Sequence, residues 1–462
     1  MNFASRLLLT VFSLVFAITS HAAPPFQATG IKVGEVDANS AIVWTRLTQL
    51  QRQNSADAPM YDIAAEKYDV TPEHPSNHPN PTRWNVKRRW SEYPQGVTVA
   101  DIAFAAPGTI GETRVGYRQA SELKWRWTDW KAVDADRDFT RQVLLTGLQA
   151  NTKYQVLVES RNKDGRGASQ EGGFVSTAAS DDPAKVVFTV STGQQFRHRD
   201  NDRGYTLYDS MLSLAPNFFV HTGDIVYYDL HATNLSEARY HWQRTYGLPT
   251  NVRFHNNVAS YFIRDDHDTW TNDCWPSLQT GFQGTFTFDE GVAVFSEQVP
   301  MREKTYRTVR CGKDLQIWMV EGRNFRSPNT AEDGPNKTIW GTEQKTWLKE
   351  TIADSDATFR VLISPTPIVG PDRVDNKHDN HSNIDFKHEG DEVREFLAGL
   401  KNTIVVCGDR HWQYHSIDPR TGTREYSCGP ASNAHAGGWT KGDFRKDYHR
   451  FLKVAGGFLS VT

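Results

Sequence analysis

Cysteine is scarce in this chain. Its 462 residues include four, Cys274, Cys311, Cys407 and Cys428, too few and too scattered for a disulfide scaffold. No two are spaced as C-x-x-C, which excludes the common structural zinc site. One or two disulfides and free buried thiols both remain open. A surplus of one charge is also missing: 52 Lys+Arg stand against 55 Asp+Glu, a formal net charge of −3. No basic field is therefore available for a nucleic acid. Past residue 18 no apolar run approaches the roughly 20 residues of a membrane span. Low-complexity blocks are absent, and 12% aromatic residues exclude wholesale disorder. What is left is a folded chain long enough for two or three domains.

The apolar stretch at residues 7–18 follows Arg6 and precedes small residues at Ser20 and Ala22. That order predicts a secretory signal over residues 1–22, cut after Ala22. A buried N-terminal helix is the alternative, but polar, Pro-rich sequence follows and nothing caps it. No cysteine follows the run to carry a lipid, and no Arg-Arg pair precedes it. Export in the unfolded state is expected, with metal acquired afterwards and a secreted or periplasmic product.

Residues 23–180 read as one domain of short strands. The segments 40–46, 114–118 and 153–159 are β-rich, and Tyr154, Val156 and Val158 share one face. Residues 148–154 resemble the tyrosine corner of immunoglobulin-like sandwiches, and a hairpin turn follows at 161–167. The expected fold is a fibronectin-III-like β-sandwich. Its regularity breaks at 49–96, where Pro72, Pro75, Pro79, Pro81 and Pro94 accompany His74 and His78; this reads as a long surface insertion. A linker is expected near residues 176–183. Beyond it, in residues 181–462, five apolar runs (186–190, 218–221, 261–263, 359–363 and 404–407) read as buried strands. Helical stretches at 343–352 and 392–400 lie between them, which implies an α/β layer structure.

Three of these strands run directly into polar loops: His221 to Asp229, Arg264-Asp265-Asp266-His267-Asp268, and Gly408-Asp409-Arg410-His411. Such loops gather at one sheet edge, where ligands bind. Their oxygen and nitrogen donors suit hard or borderline metal ions, and two such ions about 3.5–4 Å apart can clamp a phosphoryl oxygen. Glycine before Asp224 and Asp409 permits a tight turn and close ligand approach. One Gly-Asp turn is usually structural. Three loops in this order, each after a strand, favour a metal site.

The order Gly-Asp, Asp-Asp-His-Asp, Gly-Asp-x-His resembles the alkaline phosphatase D (PhoD-like) family of calcineurin-like metallophosphoesterases. Residues 42–47, 341–348 and Glu321-Gly322-Arg323-Asn324-Phe325-Arg326 add to the resemblance, which runs from about Gly30 to the end of the chain. It implies an α/β metallophosphoesterase domain of central mixed sheets flanked by helices. Asp224 would bridge two metals and, with His267, be catalytic; His267 would contact phosphate and protonate the leaving oxygen. Tyr227, Asp266, Asp409 and His411 would be metal ligands. Arg323 and Arg326 would hold phosphate oxygens, unless they form a salt bridge beneath the site. The expected cofactors are two or more metal ions, calcium and iron by resemblance, with manganese or zinc as alternatives.

This sequence also departs from that pattern. The family's first metal loop reads Ala-Ser-Cys-Gln, with the cysteine an iron ligand; here Gly193 stands at that position, which argues against an iron–thiolate site. His198, Asp200 or Gln194 could compensate, or the first metal could bind weakly. Asn272 is the remaining one of two asparagines and an expected ligand. His381, in His378-Asp379-Asn380-His381, is taken as the lone ligating histidine over a surface role. Tyr261, Trp270, Trp275 and Trp412 could wall the pocket or pack in the core. Residues 454–462 read as a strand that family members extend further, so a shortened C-terminus is expected.

The reading is an exported phosphomonoesterase or phosphodiesterase acting on small phosphoesters through a metal-bound hydroxide. The arginines of the loops, Arg264, Arg323, Arg326, Arg373 and Arg410, would offset phosphate charge. The alternatives are hydrolysis of another ester class at the same metals, and a binding or adhesion protein with a degenerate catalytic domain. The sequence is silent on oligomeric state.

Overall fold

The period-two pattern of the N-terminal part folds into two antiparallel sheets. Ile31–Gly34, Ser40–Arg46 and Thr140–Thr146 form the first. Gly165–Val175, Lys153–Asn162 and Glu112–Gln119 form the second, with the short strands Arg126–Trp127 and Lys131–Ala132 on Glu112–Gln119. Along Lys153–Asn162 the buried positions alternate through Tyr154, Val156 and Val158, and Tyr154 Oη accepts the Gln149 N–H at 2.7 Å. The computed structural model describes residues 24–69, 85–373 and 377–462. The expected signal segment lies outside these residues, as do Pro72, Pro75, Pro79, Pro81, His74 and His78.

The insertion is more than a surface loop. Asp62–Lys67 and Val86–Glu92 pair as a hairpin, and Tyr61, Ile102 and Ala105 pack with Tyr240 of the C-terminal part. Arg89 is buried and donates to the carbonyls of Asp229 (3.1 Å), Leu230 (3.0 Å) and Phe282 (3.2 Å). It thereby caps the C-terminal end of the short helix Tyr228–His231. Trp44 ties the first sheet down in the same way, its indole N–H donating to the Glu297 carbonyl at 2.8 Å.

In the C-terminal part the five expected strands are present, but in two sheets. Phe188–Ser191, Phe218–His221 and Ala259–Phe262 are parallel, and Leu459–Val461 joins the edge antiparallel to Phe188–Ser191. The second sheet has seven strands, in the order Arg307–Cys311, Leu315–Met319, Phe359–Ser364, Thr403–Cys407, Arg424–Cys428, Gln413–Ile417, His449–Lys453. Four of its strands are mutually parallel and the outer ones antiparallel. Burial on both faces is why the parallel strands read as apolar runs. Helix Gly341–Ala353 encloses the expected stretch 343–352, and helix Lys387–Ala398 covers the expected 392–400 except for its last two residues.

The C-terminal ends of the two parallel sets meet. Thr192 N–H donates to the Gly429 carbonyl at 3.4 Å, and Asp409 N–H donates to Thr192 Oγ1 at 3.3 Å. All three acid-bearing loops therefore converge on one seam. All four cysteines are buried and free. Among the described residues, no helix is long and apolar enough to cross a membrane.

Candidate active site

The first loop turns at Gly223 and Asp224, whose φ angles are +106° and +58°. A Cβ on Gly223 would sit 2.5 Å from Asp265 Cβ and 2.8 Å from Asp265 N, so only glycine lets the first two loops come this close. Asp224 is buried. Its Oδ2 accepts from Tyr227 Oη at 3.2 Å and lies 3.4 Å from His411 Nε2. Its Oδ1 has no hydrogen-bond partner among the described residues, nor does Oδ1 of Asp266. Burial pushes the Asp224 carboxyl well above its usual range; His267 opposes this, and Asp266, Asp265 and Asp409 reinforce it. Two orphaned, crowded carboxylate oxygens are the environment that a bound cation relieves.

In the second loop Asp268 acts as a clamp, its carboxylate accepting the N–H groups of Asp265 (2.6 Å) and Ile225 (3.1 Å). Asp266 Oδ2 accepts the Asp273 N–H at 2.6 Å. Donor atoms of Asp224, Asp266 and His267 lie within 4.8 Å of one another. His267 Nδ1 is 2.9 Å from Oδ1 of the buried Asp229, and its ring lies 4.3 Å from that of Tyr227. Burial alone would disfavour its charged form. The carboxylates of Asp229, Asp266 and Asp224 outweigh burial and hold its pKa well above the ordinary value.

Tyr227 is the hub of the third group. Its hydroxyl is 3.2 Å from His411 Nε2 and 3.0 Å from His435 Nε2. Burial pushes His435 down to about 3, so that imidazole is neutral. Asp409, also in left-handed backbone at φ +63°, pairs with Arg410. Its carboxylate lies within 4.8 Å of Asp372 and Asp379, a second group able to hold a cation.

The profile of the PhoD-like phosphatase family matches residues 188–450, more than half of the chain. The chain belongs to this family. It is 21% identical over 518 aligned residues to alkaline phosphatase D of Bacillus subtilis (strain 168), spanning 96% of this chain and 76% of that protein. Its fold is similar to a solved structure of PhoD (TM-score 0.69, 15% identity, 96% of this chain and 85% of that one). It is also similar to purple acid phosphatase PPD1 from yellow lupin (Lupinus luteus) seeds (TM-score 0.57, 10% identity, 95% and 90%). The α/β fold with mixed sheets is thus that of a metallophosphoesterase. As a PhoD-like phosphatase, the chain is a metal-dependent hydrolase of phosphoric esters.

In this PhoD-like phosphatase the expected residues divide. Asp224, Tyr227, Asp266, His267, Asp409 and His411 converge on the seam. His381 is in neither cation-binding group among the described residues; its Nε2 is 3.0 Å from Glu389 Oε2 and its ring packs on Trp340 at 4.6 Å. Asn272 is half-buried, and its neighbour Asp273 supplies the contact to Asp266. Arg323 is fully buried, 2.5 Å from Asp265 in an ion pair, and donates to the Cys274 carbonyl at 3.2 Å. Arg326 donates to Asn329 Oδ1 at 2.8 Å and to the Asp379 carbonyl. Arg264 pairs with Glu321 at 2.9 Å and Arg410 with Asp372 at 2.7 Å. Arg264, Arg323 and Arg410 each pair with a buried carboxylate, which needs a nearby cation, and Arg326 is held by an amide and a carbonyl oxygen.

Other details shift as well. Tyr261, Trp270, Trp275 and Trp412 are buried in apolar clusters, which is packing and not a pocket wall. Gln194 is held by Tyr208 and Asn251, and Asp200 by Thr206, so neither fills the Gly193 position. Asp229, Asp372, Asp379, Lys377 and His435 were not anticipated as site residues. Asp229 and Asp379 had a signal, as acids within the first loop and within the segment 378–381. Lys377 joins through Nζ to Asp273 (2.6 Å) and Asp379 (3.2 Å).

Proposed function

We propose that this chain is an exported phosphoesterase cleaving small phosphomonoesters, phosphodiesters or both at two metal ions bridged by Asp224. One observation carries this reading: Asp224 lies between the Tyr227–His411 pair and the Asp266–His267 pair. Its Oδ2 faces Tyr227 and His411, and its side chain groups with Asp266 and His267. Asp224, Tyr227 and His411 would hold one ion; Asp224 and Asp266 the other, with Asp409 and Asn272 as further ligands by family resemblance. When bound, such ions polarise the phosphoryl group and activate water.

The remaining roles fall to side chains. Asp229 accepts the Nδ1 proton of His267, fixing its ring and leaving Nε2 to meet the substrate. His267 then donates a proton to the departing oxygen. Arg373, only part-buried beside Asp372, exerts its charge on His411 and is the loop arginine we assign to phosphate oxygens. Replacing it (Arg373→Gln) is expected to raise KM about tenfold or more, the worth of a charge-assisted hydrogen bond, with a smaller change in kcat. An unchanged KM removes Arg373 from the substrate site.

Export rests on the sequence of residues 1–22. We take residues 23–180 as a fibronectin-III-like sandwich and 181–462 as the catalytic domain; the two antiparallel sheets support the former, and their buried residues form one continuous core with strands of the catalytic part. The test is direct. Metal-free protein is reloaded with calcium, iron, manganese or zinc, singly and in pairs, and offered a phosphomonoester, a phosphodiester and a sulfate ester. Metal-dependent hydrolysis of a phosphoester is expected. Failure with every metal, or preference for the sulfate ester, rejects the reading.

A further inference from the structure

We propose that His435 is a metal ligand, completing with Asp224, Tyr227 and His411 an all nitrogen and oxygen site at the position where Gly193 offers no side chain. The proposal rests on the reading of Asp224, Tyr227 and His411 as one metal's donors, and extends it to a residue no motif marks.

The tautomer is the first argument. His435 is buried, and its Nδ1 lies 3.2 Å from the Gly193 carbonyl oxygen. A carbonyl only accepts, so the proton sits on Nδ1 and Nε2 carries the lone pair. This is the arrangement of a metal-binding imidazole, whose other nitrogen is fixed by a backbone carbonyl. That Nε2 points at Tyr227 Oη, 3.0 Å away.

The second argument is convergence. The Tyr227 hydroxyl sits within 3.2 Å of Asp224 Oδ2, His411 Nε2 and His435 Nε2. The His411 and His435 rings are 4.0 Å apart. Four nitrogen and oxygen atoms of the kinds that bind transition ions thus face one point.

Gly193 makes the arrangement sterically possible. A Cβ there would lie 3.1 Å from His435 Cε1 and 3.2 Å from His411 Nε2, so any side chain would crowd both imidazoles. The short turn Asn433–His435 is held against this loop: Ala431 N–H donates to the Gly193 carbonyl at 2.9 Å, and Ser432 Oγ donates to the His198 carbonyl at 2.5 Å. Two imidazoles, a phenol and a carboxylate suit a borderline transition ion, not calcium.

The experiment titrates metal-free protein with Co2+ and follows both the visible ligand-field absorption and bound cobalt. The wild type is expected to give a band that saturates. His435→Ala is expected to weaken that site at least about tenfold, the low end for disturbed metal shells, and to change the band. His435→Gln keeps a donor for the Gly193 carbonyl and is expected to show the same loss, which separates ligation from folding. His415→Ala, a part-buried histidine stacked on Tyr426 at 4.4 Å in the strand Gln413–Ile417, should leave both unchanged. Wild-type affinity and spectrum in His435→Ala, with loss in Asp224→Ala, would overturn His435 alone. No cobalt band in the wild type overturns the metal subsite itself.

Discussion

Asp224→Ala is expected to cut kcat by about three orders of magnitude or more and to remove bound metal. Metal ions contribute several kcal/mol of transition-state charge stabilisation, and about 4 kcal/mol corresponds to roughly a thousandfold. Among the described residues, Asp224 is the one carboxylate that contacts the Tyr227–His411 set and also groups with Asp266 and His267, so its loss should affect both ions together. The metal-free proteins should rank the other way. Asp224 Oδ1 is buried without a partner, and Asp266, Asp265 and Asp409 repel its charge. Asp224→Asn removes that charge, so the metal-free variant is expected to melt above metal-free wild type, function having been kept at the expense of stability. Elemental analysis, steady-state kinetics and thermal melting check the three statements. Activity within tenfold of wild type would exclude the bridging role.

His267→Gln is expected to lower kcat by about 10²–10⁴-fold, the usual worth of a positioned general acid, while metal content stays near that of wild type. The loss should depend on the leaving group. Alkyl phosphates, whose alkoxide needs a proton, should suffer most, and nitrophenyl esters, which depart unaided, least. Asp229→Asn should show a weaker form of the same pattern, because Asp229 orients the imidazole through the 2.9 Å contact and makes none with substrate in this scheme. Equal losses for both ester types would sink the general-acid assignment, and loss of metal from His267→Gln would make it a ligand instead. Arg89, anchored on the Asp229 and Leu230 carbonyls, links the insertion hairpin to the same pair.

Much of this was legible in the sequence. Strands buried on both faces print as apolar runs, so 218–221 coincides with the observed strand and 404–407 lies within Thr403–Cys407. Gly-Asp turns after such runs are local features, dictated by backbone geometry within a few residues. The insertion was harder to read, because its hairpin is stabilised by docking on Tyr240 and the Asp229 carbonyl, contacts far away in the chain.

The identity of the acid and histidine loops, their order, and the glycine in place of a cysteine were determined by the sequence alone, since each depends only on neighbouring residues. Which side chains those loops meet was decided by the tertiary structure. Arg323 found Asp265, His381 found Glu389, and His435 found Tyr227 and the Gly193 carbonyl. The physical reason is desolvation. Once two sheets close over the seam, a buried charge or lone pair without a partner costs free energy, and only the packed chain determines which partner lies within reach.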